Sequence, residues 1–131
     1  LAITDFVTVD YHAIKEAVDG LGGIWIDIDS AEIKHINNYQ ISIIRDTDIP
    51  KSEYVPVTDT GRQLLNGLQA AAYCRIRYTK GDDFKRAERQ RTVLKEVMKQ
   101  AQGASVSQLT DIATTARKEA TIFLSFILIF N

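Results

Sequence analysis

A long helix from about Asp82 to Gln102, closed by Gly103, is the element this sequence specifies most strongly, and any fold must bury one of its faces. With Asp83 set at zero and about 100° per residue, Leu94, Val97, Met98 and Ala101 fall within about 60° of that direction. They mark the face that packs on a core. Asp83, Arg86 and Gln90 fall on the same side, in the first two turns, while Lys85, Glu88, Thr92, Lys95 and Lys99 point the other way. A carboxylate, a guanidinium and a carboxamide on a core-facing stripe are costly unless paired or opened onto a cleft. A polar cleft floored by the start of this helix is therefore expected.

Charge distribution supports an anion there. The chain of 131 residues carries 16 Lys+Arg and 17 Asp+Glu, so its net charge of −1 gives no argument for nucleic acid or an anionic membrane. Between Arg75 and Lys99, however, nine basic residues face four acidic ones, and the rest of the chain holds seven basic and thirteen acidic. The basic window coincides with the helix start, where free N–H groups and the dipole favour phosphate. Arg75 and Arg77 precede it. If residues 75–77 are extended, the two face alike and form a two-pronged clamp, because guanidinium groups hold phosphate oxygens bidentately. Arg75, Arg77 and Arg86 are thus candidates to hold a diphosphate, with Gln90 on the same stripe and Asp83 within one turn to act on an incoming hydroxyl.

Elsewhere the pattern is that of one α/β domain. Ile3–Asp10 alternates apolar and polar residues as a strand, Asp10 can cap a helix from Tyr11 to about Leu21, and Gly20, Gly22 and Gly23 stop it before a second strand, GIWIDIDS. Ser30 is a candidate cap for a short helix through Ile36, and Pro50 and Pro56 keep the following stretch irregular. Thr60–Arg75 reads as a helix or helix pair punctuated by Gly67. After the long helix, Ser105 or Ser107 can start another through about Lys118, and ATIFLSFILIFN reads as a buried apolar element. That run is about half of the roughly 20 residues a membrane helix needs, and residue 1 does not begin a signal peptide. Cys74, the only cysteine, excludes an intrachain disulfide and a cysteine metal cluster. Trp25 and Tyr73 are expected in the core, with Cys74 packed beside Tyr73. His12 and His35 are too isolated for a metal or triad role.

The run LNGLQAAAYCRIRYTKGDDFKRAERQRTVLKEV resembles the signature of the LytR-CpsA-Psr family: Leu-Asn-Gly, a helix ending in Tyr, Arg-x-Arg, a short loop, then Asp-Phe-x-Arg-x-x-Arg-Gln. The upstream DFVTVDYHAIKEAVDGLGGIWIDI is similar to the family's strand, helix and Gly-Gly strand. The resemblance implies an α-β-α layered domain with a mixed sheet flanked by helices, anchored at the cell membrane on the extracellular face of a Gram-positive-type bacterium. It implies an enzyme that moves a glycopolymer, teichoic acid-like or capsular, from a polyprenyl diphosphate carrier to peptidoglycan, making a phosphodiester. By that likeness Arg75, Arg77, Arg86 and Gln90 contact the diphosphate and Asp83 is the base or orienting carboxylate. Arg89 also falls in the motif, but helix arithmetic turns it about 120° away, so it is not expected to touch substrate.

The resemblance further implies that the membrane anchor and the first part of the catalytic domain, with residues associated with Mg²⁺, lie upstream of this chain, which would then be a single-domain fragment, residues 1–131, inactive alone and open to homo-oligomerisation. Two other readings stand beside the transferase. One is a transcriptional regulator, weakly favoured by the basic window and opposed by Asp83 in the same cleft, so no nucleic acid is expected. The other is a non-catalytic polyprenyl-phosphate binder.

Overall fold

The computed structural model describes residues 11–76 and 82–103, with only the backbone described at 82–84. Four helices and one antiparallel strand pair follow in order: α1 (Tyr11–Gly20), β1 (Ile24–Ile28), α2 (Ser30–Asp46), a 3-10 turn (Lys51–Glu53), β2 (Gly61–Leu65), α3 (Gly67–Arg75) and α4 (Asp82–Gly103). The class is α/β, as expected. The strand expected at 3–10, the loop at 79–81, the helix from 105 and the apolar end lie outside the described residues.

α1 ends where glycine permits it. The Gly23 N–H bonds the Val18 carbonyl at 2.9 Å and the Gly22 N–H the Asp19 carbonyl at 3.1 Å, a double closure that needs the left-handed φ of 84° found at Gly22. The chain then enters β1, whose Ile24, Ile26 and Ile28 are buried while Trp25 and Asp27 face outward. The expected core tryptophan is thus 44 % exposed, because strand alternation puts it opposite the three isoleucines. β2 pairs with β1 from Ile24↔Leu65 to Ile28↔Gly61. These residues were expected as helix. Pairing overrides the helical preference of Arg62-Gln63-Leu64-Leu65, a case of tertiary context deciding a short segment.

α2 is the other departure. It is capped by Asp29, not Ser30, and runs ten residues past the expected end at Ile36. Asp29 Oδ1 accepts from the Glu32 N–H and Glu32 Oε1 from the Asp29 N–H, each at 3.0 Å, closing a capping box. The buried stripe continues through Gln40 and Ile43. Asn37 and Gln40 interrupt its apolar pattern because they serve the irregular segment after the helix. Asn37 bonds both the N–H and the carbonyl of Val57, at 2.8 and 2.9 Å, and Gln40 does the same for Val55, at 3.3 and 3.0 Å. Each carboxamide stands in for a neighbouring strand.

α3 is the buried hub. Asn66 and Gln69 form its capping box, and Ala70, Ala71, Ala72, Tyr73 and Cys74 are all buried against α1, α2 and α4. Gly67 explains the Asn-Gly pair: a Cβ there would lie 2.2 Å from the Lys15 carbonyl of α1, and the Gly67 N–H donates to Asp19 Oδ1 at 2.7 Å. Only glycine lets α3 start this close to α1.

Candidate functional site

α4 has the expected length and end, and the outward Lys85, Glu88, Lys95 and Lys99 are exposed. Its buried stripe contains Val93, Leu94, Val97 and Ala101 in the later turns, with Arg89 and Gln90 ahead of them. The true centre of that face is turned toward Val93 relative to the sequence reading, which brings Arg89 inside. Arg89 Nε meets Glu32 Oε2 at 2.8 Å with side chains 6 % and 8 % exposed, and its guanidinium lies 6.0 Å from the Tyr73 ring centre. It ties α4 to the start of α2. A pocket of ≈ 380 Å³ opens beside this pair, between Asp29, Tyr73, Lys85 and Thr92, on the flank of α4 away from Arg86 and Gln90.

Gln90 is 3 % exposed, and its Nε2 reaches the Cys74 carbonyl at 3.5 Å, so the second turn of α4 abuts the last turn of α3. Its Oε1 is buried and has no hydrogen-bond partner among the described residues. An orphaned buried acceptor is costly.

Arg75 follows Cys74 as the last residue of α3, not as part of an extended segment, and Ile76 leaves the helix with φ −59° and ψ 126°. The side-by-side clamp imagined for residues 75–77 therefore starts from a helix end. Arg77 lies outside the described residues, and Asp83 is placed only by its backbone, as the second residue of α4. The Arg75 guanidinium carbon stands 5.4 Å from the Tyr11 ring centre and 5.3 Å from that of Tyr39.

The charge partners divide the arginines. Among the described residues, Arg45 pairs with Asp46 at 3.1 Å, Arg62 with Glu96 at 3.7 Å, Arg89 with Glu32 at 2.8 Å and Arg91 with Glu88 at 3.0 Å. Arg75 and Arg86, both half-buried, have no carboxylate among the described residues. Among the described arginines, the two without a carboxylate are Arg75 and Arg86, both of them candidates selected from the sequence. What the sequence did not indicate is the ring pair on Arg75 or the acid for Arg89. Only the Asp-x-x-Glu of the capping box marked Glu32 at all, and then for a different role.

The LytR_cpsA_psr family model matches residues 1–126. The chain belongs to the LytR-CpsA-Psr family. A curated relative, the polyisoprenyl-teichoic acid–peptidoglycan teichoic acid transferase TagV of Bacillus subtilis (strain 168), is 30% identical over 118 residues, 88% of this chain and 27% of TagV. The chain thus spans about a quarter of that relative's length. Two solved structures share the fold. TagT bound to LIIa-WTA has a TM-score of 0.57 at 20% identity, covering 95% of this chain and 48% of TagT. The family protein YwtF (TagT) with bound octaprenyl pyrophosphate lipid has a TM-score of 0.51 at 17% identity, covering 91% of this chain and 46% of that one.

Burial sets the remaining titrations. It pushes the Cys74 thiol well above its ordinary 9.0, and the Tyr73 hydroxyl, further raised by Glu32, well above 10.0. Cys74 is accordingly an inert packing group, as expected. Burial opposes the charge on Lys15, but Glu53 and Asp19 together outweigh it and raise its pKa. Among the described residues no group of three or more His, Cys, Asp or Glu is placed to hold a metal ion, and no helix is long and apolar enough to cross a membrane.

Proposed function

We propose that this chain supplies the phosphate-holding part of a cell-envelope phosphotransferase, which moves a teichoic acid-like or capsular glycopolymer from a polyprenyl diphosphate carrier to peptidoglycan. The observation that carries the reading is the pair of half-buried guanidiniums, Arg75 and Arg86, with no carboxylate among the described residues, together with the buried, unpartnered Oε1 of Gln90. TagV's transferase activity and the octaprenyl pyrophosphate bound to YwtF point to the same ligand class. In this reading the protein acts at the extracellular face of the membrane, through an anchor outside this chain.

The acceptor hydroxyl oxygen bonds to the glycan-bearing phosphorus, the P–O–P bridge breaks, and polyprenyl phosphate leaves. Arg75, Arg77 and Arg86 balance the charge on the bridge and leaving oxygens, which is the largest contribution a fixed site can make. Asp83 orients the acceptor hydroxyl and receives its proton; a carboxylate is a weak base, so orientation is the greater part of its role.

Arg75→Ala and Arg86→Ala are each expected to weaken binding of a polyprenyl diphosphate in detergent by about 10- to 100-fold, the loss of one charge-assisted contact. In a full-length parent, Asp83→Asn is expected to spare binding and abolish transfer of a labelled glycan. Unchanged affinity in the folded double arginine variant refutes the assignment. Nanomolar, sequence-specific DNA binding at physiological salt would replace it with the regulatory reading, against which stand the carboxylate partners already engaging Arg89, Arg91 and Lys99 in the basic window.

A further inference from the structure

We propose that Tyr11 and Tyr39 are positioning residues for Arg75, presenting its guanidinium to the anion. This rests on the reading of Arg75 as a diphosphate contact and extends it to the residues that hold it. The guanidinium carbon lies over both rings, at 5.4 and 5.3 Å, within the range of cation–π attraction. A ring differs from a carboxylate in what it leaves behind. A carboxylate would neutralise the charge and occupy the N–H fork. Ring faces fix the guanidinium while leaving its net charge intact and its edge N–H groups uncommitted, and Arg75 has neither a hydrogen bond nor an ion pair among the described residues. The contrast lies within the same chain: Arg89, whose role is to join α4 to α2, has a ring and an acid, whereas Arg75 has two rings and no acid among the described residues.

The three groups come from three helices, Tyr11 from the start of α1, Tyr39 from the middle of α2 and Arg75 from the end of α3. An unrestrained arginine would lose its rotamer freedom on meeting a ligand; one already held by rings loses less, and the difference appears as affinity.

The test uses octaprenyl diphosphate in detergent micelles. Tyr11→Leu and Tyr39→Leu are each expected to weaken binding by about 2- to 5-fold, the factor a partly exposed cation–π contact supplies. Tyr11→Phe and Tyr39→Phe, which keep the ring face, are expected to bind like the wild type. In an Arg75→Ala background the leucine substitutions are expected to have no further effect. A series of increasingly fluorinated phenylalanines at position 39 keeps the shape while withdrawing ring electron density, so a graded loss of affinity is expected even if Tyr39→Leu fails to fold. If Arg75→Ala leaves binding unchanged, the diphosphate reading falls and this proposal with it. If Arg75→Ala weakens binding but the ring substitutions and the fluorinated series do not, the reading stands and the positioning role is overturned. Equal losses in the wild-type and Arg75→Ala backgrounds also overturn it, since they would show a general packing effect.

Discussion

Substituting Glu32 by Gln isolates the buried ion pair that fixes α4 on α2. Glu32 has two separate duties: Oε1 accepts from the Asp29 N–H at 3.0 Å, and Oε2 accepts from Arg89 Nε at 2.8 Å. Glutamine keeps an oxygen for the cap but turns an amide toward Arg89, so the cap survives while the guanidinium loses its charge partner. Its remaining contacts with described residues include the Ile76 carbonyl at 3.5 Å and the Tyr73 ring at 6.0 Å, neither of which neutralises it. Arg89 is 6 % exposed, and removing one partner of a buried ion pair costs about 3–5 kcal/mol. For a chain of this size that is a fall in Tm of roughly 10–20 °C, read in thermal melts and checked by urea titration. Adding Arg89→Met removes the stranded charge at similar volume, so the double variant is expected to recover most of the loss. A single variant within about 1 kcal/mol of wild type, or a double variant less stable than Glu32→Gln alone, refutes the reasoning.

Gly67→Ala is expected to cost at least about 1–3 kcal/mol, because its Cβ would meet the Lys15 carbonyl and the Asp19 carboxylate, which are held by α1 and not free to move; a melting temperature equal to wild type would show that α3 can shift. Alkaline stability follows from three raised pKa values. The unfolded chain begins to release protons near 9.0 at Cys74, 10.0 at Tyr73 and 10.5 at Lys15, while the folded chain retains them. Stability is therefore fully present below these values and falls as pH rises above about 9, by up to about 1.4 kcal/mol per pH unit for each group. Cys74→Ala is expected to move the onset toward 10, and a melting temperature that stays flat to pH 11 would contradict the sign.

Legibility followed locality. α1, β1 and α4 carry their own stop signals and periodicity, and they appear where the residues place them. β2 does not, since nothing in Arg62-Gln63-Leu64-Leu65 announces a strand until β1 is available to pair with it. α2 was cut short at Ile36 because Asn37 and Gln40 look like exposed polar residues and are in fact a bracket for Val55 and Val57. On α4 the angular arithmetic placed Gln90 on the buried face and Arg86, half-buried, beside it. It missed the inward turn of Arg89, whose partner lies 57 residues away on a different helix. Residues positioned by their own element were readable; residues positioned by a partner were not.

That distinction gives α2 a place in the site although it contributes no phosphate-binding candidate. Glu32 and Tyr39 are seven residues apart on α2, almost two full turns, so they lie on one face about 10 Å apart along the axis. The first holds Arg89 of α4, and the second faces Arg75 of α3. Arg86 is one turn before Gln90 on α4, and Gln90 reaches the carbonyl just ahead of Arg75. The spacing between Arg75 and Arg86 is thus set by a third helix that bonds to Arg89, close to Arg86 on α4, and lays the Tyr39 ring against Arg75. A diphosphate presents its charges at a fixed separation, and a bidentate contact is sensitive to misplacement. Rigid spacing is worth more to such a site than additional positive charge, which accounts for a basic helix whose arginines are divided by angle: Arg89 inward to an acid, Arg91 outward to an acid, and Arg86 between them with none among the described residues.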